Sequence, residues 1–309
     1  MVEIFNDIYT IPERAKGCVL AIGNFDGVHI GHRHLLGEAK RTAKKTGDKL
    51  AVMTFNPHPI EFFWKDSKSF KLSSSQTKHK LLEDLEVDFI FNISFDAEFI
   101  KITADDFIFN ILRDSLNIKH LVVGDDFSFG YKRTGNIATL EKLSLSNRGF
   151  DYTPVGKVIL NKEIISSSLI RNFIKSGNFK NAKEYLGRYW NIEATIVEKT
   201  NNSFFIGVSN EEYIKTPSGV YACKIIDQES NAVIDAIIIR DNNHKNKNSI
   251  YKIYMIDYDI NMYNRNIKLI PIEYIREEHN FEEVSNLEKD IIKAKNILSN
   301  IENNWLRGI

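Results

Sequence analysis

Apolar positions fall in short continuous runs over the first part of the chain, and the segments between them repeat at helical spacing. Cys18 to Ile22 is such a run and predicts a buried strand, while Leu35, Leu36, Ala39 and Ala43 share one face of a following helix. The pattern continues with Leu50 to Phe55 as a strand, Gln76 to Glu86 as a helix and Asp88 to Phe95 as a strand. Ala104 to Leu116 reads as a helix, Lys119 to Val123 and Asp151 to Val155 as strands, and Phe179 to Leu186 as a short helix. Strand and helix in alternation predict an α/β fold with a parallel sheet. Ligands of such sheets bind at the carboxyl ends of the strands, where the chain order reverses.

Past Gly187 and Arg188 the period changes to that of strands. Ile192 to Val197, Ser203 to Val208, Gly219 to Ile226, Val233 to Ile239 and Ser249 to Asp257 are β-branched or aromatic runs separated by Asn, Asp, Lys and Gly. Such spacing predicts a small antiparallel β-barrel. Residues 241–248 form a polar loop, and Val284, Leu287, Ile291, Ala294, Leu298 and Ile301 mark an amphipathic C-terminal helix that covers the barrel. No long-period repeat is visible. A chain of 309 residues accommodates two cores, so the expected domains are 1–187 and 188–309.

Forty-one basic and 41 acidic residues balance, which argues against nucleic-acid binding through bulk charge. Cys18 and Cys223 form no C-x-x-C and suit a reducing compartment. The N-terminal residues lack the regions of a signal peptide, and no apolar run is long enough for a bilayer. The expectation is a soluble, cytoplasmic protein; oligomeric state is not legible.

The first strand runs into Gly23, Asn24, Phe25, Asp26, Gly27, Val28, His29, Ile30, Gly31 and His32. At a helix start the first backbone N–H groups lack intrahelical partners and the peptide dipoles add positive charge, so phosphate is a natural guest. Gly23, Gly27 and Gly31 allow close approach of backbone to ligand, and His29 and His32 lie one turn apart. The spacing fits neither G-x-G-x-x-G nor a P-loop, and no Cys, Asp or Glu stands at zinc-ligand spacing. A tight turn with two solvated histidines remains the plain alternative. Three further stretches carry polar or aromatic groups: Thr54 to Pro59 with His58 between two prolines, Gly124 to Gly135, and Ile165 to Arg171, whose serines read as helix caps.

The string G-N-F-D-G-V-H-I-G-H contains the H-x-G-H signature of nucleotidyltransferases and resembles the adenylyltransferase module of the bacterial bifunctional riboflavin kinase/FAD synthetase family. Thr54–Pro59 resembles that family's T-F-x-P-H-P, Gly124–Gly135 its G-x-D-F-x-F-G-x-x-R-x-G, and Ile165–Arg171 its I-S-S-T-x-I-R. Ser168 keeps the hydroxyl of the Thr, whereas Ser128 stands where an Arg is common. The resemblance implies a Rossmann-like first domain that transfers AMP from Mg²⁺-ATP to FMN, giving FAD and pyrophosphate. It implies that His29 and His32 bind phosphates, that Arg171 with Ser166, Ser167 and Ser168 contacts the ATP phosphates, and that Asp126 orients FMN or Mg²⁺. By the same resemblance Gly23, Asn24, Phe25, Asp26, Gly27, Gly31, His58, Pro59, Gly124, Phe127, Phe129 and Arg133 line the nucleotide and flavin sites; the metal ligands are not implied. An H-x-G-H transferase for another phosphate, or a flavin-binding regulator without turnover, are the alternative readings. An aminoacyl-tRNA synthetase would need a larger chain and a Lys-rich second signature.

Thr216–Ala222, Tyr254–Asp259 and Ile275–Glu278 resemble the riboflavin kinase barrel. Its G-F-P-T-A-N, however, is replaced by Gly207, Val208, Ser209 and Asn210 after Phe205 and Ile206. Val208 takes the place of the Thr, and Lys252 that of the catalytic Glu. A kinase fold without kinase chemistry is the expectation, with Glu211 and Glu212 the nearest substitute carboxylates.

Overall fold

The computed structural model describes residues 2–63, 69–145, 149–200, 204–209, 213–240, 249–258, 262–277 and 284–301. Asn210, Glu211, Glu212, the polar loop 241–248, Asp259 and Glu278 lie outside the described residues. Contacts divide the chain into two units, Met1–Lys68 with Ser75–Ile165, and Ser69–Ser74 with Ser166–Ile309.

The first unit is a six-stranded parallel sheet. Its strands are β1 (Glu3–Phe5), β2 (Val19–Ile22), β3 (Leu50–Asn56), β4 (Phe89–Ser94), β5 (His120–Gly124) and, after two short strands β6 (Ser128–Phe129) and β7 (Gly135–Asn136), β8 (Asp151–Val155). They lie in the order β1-β4-β3-β2-β5-β8. The chain therefore walks outward from β2 through β3 and β4, then returns to β5 on the other side of β2. That reversal is a topological switch point, and the first and third candidate loops leave the carboxyl ends of its two strands.

Every residue of β2 is buried, as a sheet covered on both faces requires. Leu20 and Ile22 join a core with Met53, Phe91, Leu112 and Leu121. Val19 and Ala21 join a second core with Leu36, Ala39 and Leu82, from α1 (Ile30–Thr46) and α3 (Ser75–Glu83). The predicted helix at 104–116 differs in kind. Only α4 (Ala104–Asp106) is α-helical, and Phe107–Ser115 continues as a π-helix, with Leu116 N–H donating to Ile111 O at 3.0 Å. A wider turn still gathers Phe107, Ile108, Ile111 and Leu112 on one buried face, so the apolar pattern cannot tell the two apart. Elements the pattern missed are short or on the surface: β1, the five-residue α2 (Pro59–Phe63), α5 (Ile137–Leu145), β6 with β7, and the pair β9 (Ile159–Leu160) and β10 (Glu163–Ile164).

The second unit carries α6 (Ser167–Lys175), α7 (Phe179–Leu186) and a closed antiparallel barrel. The barrel strands are β11 (Ile192–Lys199), β12 (Phe205–Ser209), β13 (Gly219–Asp227), β14 (Val233–Arg240), β15 (Ser249–Met255) and β16 (Asn266–Arg276), in the order β11-β12-β15-β14-β13-β16. Five of the six were expected. The sixth, β16, pairs with both β11 and β13 and so closes the barrel. Pro271 argues against a strand interior, and the structure accommodates it where the register slips between Ala222, opposite Glu273, and Cys223, opposite Pro271. The C-terminal helix α8 (Val284–Ser299) packs Ala294 and Leu298 onto Val220, Ala222, Ile237 and Ile239, on the outer face of the barrel. No described helix is long and apolar enough to cross a membrane.

Candidate active site

The loop between β2 and α1 is tightly bonded. Gly23 N–H donates to Met53 O at 3.1 Å, and the buried Thr54 hydroxyl donates to Asn24 O at 3.1 Å. Beyond these anchors the backbone takes left-handed dihedrals at Phe25 (φ 50°), Gly27 (φ 78°) and Val28 (φ 40°). Gly27 suits that region; the other two hold it against steric preference. At Gly23 and Gly31 it is close approach, rather than φ, that favours glycine. A Cβ on Gly23 would lie 3.1 Å from the Phe25 ring, and one on Gly31 would lie 3.2 Å from the His29 ring.

His29 is the N-cap of α1: its Nδ1 accepts the backbone N–H of His32 at 3.2 Å. A neutral imidazole that accepts through Nδ1 carries its proton on Nε2, so His29 offers Nε2–H as a donor. Its ring stacks on His32 with centroids 3.5 Å apart and planes at 15°, and Phe25 meets His32 edge-on at 5.2 Å. His29 and Asp26 are buried. The two histidines therefore form one packed cluster, not a solvated turn.

The second stretch folds around its own cap. His58 follows a cis Asn56–Pro57 bond; its Nδ1 accepts Ile60 N–H at 3.1 Å and its own N–H donates to Glu61 Oε2 at 2.8 Å. Pro59, rather than His58, reaches the cavity described next. The third stretch makes the β6–β7 hairpin. Gly130 (φ 73°) packs so closely that a Cβ there would lie 2.5 Å from Ala104 N, and one on Gly135 would lie 2.5 Å from the Phe129 ring. Arg133 Nε donates to Ser128 Oγ at 2.7 Å, so the serine that replaces an arginine receives one instead. Asp126 is displayed at the surface with Lys157 Nζ 3.1 Å away; its carboxylate holds the Lys157 ammonium above the usual lysine range.

Within this first unit the loops wall a cavity of about 650 Å³. Gly23 and Asn24 come from the first loop, Phe55 and Pro59 from the second, and Phe127, Phe129 and Arg133 from the third. Its apolar walls belong to a chain of rings in which Phe55, Phe95, Phe99, Phe107, Phe129 and Phe127 succeed one another at centroid distances of 5.7, 5.7, 6.4, 5.5 and 5.3 Å. Lys132 and Arg133 supply charge at its edge. The space is that of a planar aromatic ligand with an anionic end. Phe95, Phe99 and Phe107 were not singled out from the sequence, because they fall in ordinary apolar runs.

Ser166, Ser167, Ser168 and Arg171 belong to the second unit. Ser166 is the N-cap of α6, its Oγ accepting Leu169 N–H at 3.2 Å. Arg171 is buried; its Nε donates to Phe70 O at 2.8 Å and its guanidinium lies 5.1 Å from the Phe70 ring.

Comparison with known proteins matches residues 11–169 to the FAD synthetase family model and residues 186–301 to the riboflavin kinase model. The bifunctional riboflavin kinase/FMN adenylyltransferase of Buchnera aphidicola from Acyrthosiphon pisum is 30% identical over 94% of this chain and 95% of its own. The chain belongs to that bifunctional family. The Escherichia coli K12 member is 30% identical over 90% of both chains, and the Haemophilus influenzae member 28% over 95% of this chain and 98% of its own. A crystal structure described as a macrolide-efflux protein from Streptococcus pneumoniae superposes with a TM-score of 0.83 over 98% of this chain and 99% of that one. At 22% identity it shows a shared fold and no more.

The two positions that the motif resemblance assigns to the kinase Thr and Glu, Val208 and Lys252, fall on one face of the barrel. Val208 pairs with Ile250 and Ile206 with Lys252 across β12 and β15, and opposite or alternate residues of a sheet share a face. Val208 and Lys252 are thus same-face neighbours on adjacent strands.

Proposed function

We propose that this chain is an ATP:FMN adenylyltransferase that makes FAD and pyrophosphate, with its adenylyltransferase in residues 1–187 and a kinase-inactive barrel in 188–309. The observation that carries the reading is the continuity of the β2–α1 loop. Gly23 and Asn24 wall the aromatic cavity, and the same loop ends in the stacked His29 and His32 at the start of α1. A flavin ring and a phosphate would be held by one segment, at the switch point of the sheet.

In the proposed reaction an FMN phosphate oxygen attacks the α-phosphorus of ATP, and the bond to the bridging oxygen of pyrophosphate breaks. Negative charge grows on the α-phosphoryl oxygens and on the leaving group. The Nε2–H of His29 and the His32 imidazole would meet that charge, already oriented by the cap and the stack, so catalysis is positioning and electrostatic stabilisation. Arg133 and Lys132 would hold the flavin's anionic end. Arg171 and Ser167 take the pyrophosphate role from the motif; the Phe70 carbonyl fixes the guanidinium plane, as a fork for phosphate oxygens needs. Magnesium enters with ATP as part of the substrate. Among the described residues no group of three His, Cys, Asp or Glu stands at ligand distance, and magnesium held by nucleotide phosphates asks for only one or two carboxylates. Asp126 is one candidate.

The test is chromatography of products after mixing the protein with Mg²⁺-ATP and FMN. FAD and pyrophosphate are expected in equal amounts; FMN recovered unchanged would leave the flavin-binding regulator as the better reading.

A further inference from the structure

Helix α3 places a lysine on its buried face. Lys78 is 9% exposed and shares that face with the buried Leu81 and Leu82. A cation in such a position is costly unless it is well bonded. Its Nζ donates to the Thr54 hydroxyl at 2.9 Å, and Thr54 in turn donates to Asn24 O at 3.1 Å. A hydroxyl has one proton to give. With the ammonium on its lone pair, Thr54 commits that proton to the Asn24 carbonyl, so the relay has one direction from α3 through β3 to the loop.

The relay acts where the loop is under strain. Met53 O and Thr54 Oγ hold Gly23 and Asn24, and the left-handed Phe25 and Val28 follow at once. Each such residue persists only when its surroundings over-determine it. The charge of Lys78 is felt locally too, since it helps to hold the neighbouring His79 imidazole below its ordinary pKa, after the larger effect of burial.

We propose that Lys78 is a positioning residue for adenylyl transfer, acting through Thr54 on the Asn24 carbonyl to fix the turn that presents His29 and His32 to ATP. The inference rests on the adenylyltransferase reading. It is tested with the full-length K78M, T54V and T54S variants and the K78M/T54V double variant, by steady-state kinetics of FAD formation and by calorimetry of Mg²⁺-ATP binding.

K78M and T54V should each lower kcat/KM for ATP by about tenfold or more, with KM for FMN within about twofold of wild type. T54S, which keeps the hydroxyl, should restore activity, and the double variant should be no worse than the weaker single variant because both break one relay. Wild-type kcat/KM for ATP in K78M, or losses that multiply in the double variant, would overturn the proposal. If K78M does not fold, K78Q takes its place in the same cycle and the same outcomes decide. A wild-type protein that binds Mg²⁺-ATP but makes no FAD strikes the adenylyltransferase reading instead, and ATP affinity across the variants then measures the relay alone.

Discussion

His29 uses its two ring nitrogens for different tasks, and a pair of substitutions separates them. Nδ1 caps α1 by accepting His32 N–H, whereas Nε2 is the atom that the proposed function assigns to phosphate. Asparagine is among the best N-caps and alanine among the poorest. H29N should therefore keep more of the wild-type stability than H29A while lowering kcat for FAD formation by about a hundredfold, as for the loss of one charge-stabilising donor. H29A should lose the same activity and about 1 kcal/mol of stability besides. Denaturant unfolding and single-turnover FAD formation measure the two effects; an H29N enzyme with wild-type turnover would reduce His29 to a cap. The sequence placed both histidines one turn apart, yet not their stacking or the cap, because tautomer and ring contact depend on backbone dihedrals that residues 23–28 adopt only in the fold. Lys78 was legible in principle, as a lysine on the apolar face of a helix, but such a residue is more often a stem lying along the surface.

Among the elements, two were read at their true bounds: α7 at Phe179–Leu186 and β8 at Asp151–Val155 coincide with expectation. What escaped was decided by neighbours. Strand β16 was hidden by a proline that only a bulge in the pairing tolerates, and the π-helix by a pattern that serves both helix types. The β6–β7 hairpin is likewise shaped by packing: Gly130 has φ 73° and touches the Ala104 backbone, with Tyr131 N–H bonded to Ile102 O at 2.6 Å. A methyl group there meets backbone, which cannot swing aside. G130A should lose about 1–3 kcal/mol of stability from strain and overpacking and raise KM for FMN more than KM for ATP, because Phe127, Phe129 and Arg133 ride on this hairpin. Equal rises in both constants would mean that the hairpin does not belong to the flavin side.

Over the whole molecule, two expectations follow from groups that sit far from one another in sequence. The first concerns pH. Burial holds the imidazoles of His79 and His120 below the ordinary value of 6.5, with the Lys78 charge adding to the effect at His79 and Asp151 opposing it at His120. The unfolded chain then binds more protons as pH falls through 6.5, so these residues contribute fully above that value and progressively less below it. Stability should decline between about pH 7.5 and about pH 5.5, and an H79Q/H120Q variant should decline less. Identical slopes in denaturant midpoint against pH would refute the assignment. The second expectation is that the protein does not phosphorylate riboflavin. The change from helix-strand alternation to strands alone made the barrel legible, and its closed six-stranded form agrees with the riboflavin kinase match. The chemistry on it is another matter. By the motif resemblance Val208 brings a methyl group where the family's Thr would place a hydroxyl near Mg²⁺ and phosphate, and a methyl cannot coordinate a hard cation. By the same resemblance Lys252 puts a cation in place of the base, whose loss alone costs a factor of about 10² to 10⁴. These positions are same-face neighbours on β12 and β15, so the two changes strike one site, and a repair at either leaves the other. Riboflavin and Mg²⁺-ATP, with an active kinase as positive control, should yield no FMN or FAD by chromatography, while FMN supplied to the same preparation yields FAD. Product from riboflavin would show that another carboxylate serves as base, and E211Q and E212Q would be the first variants to make.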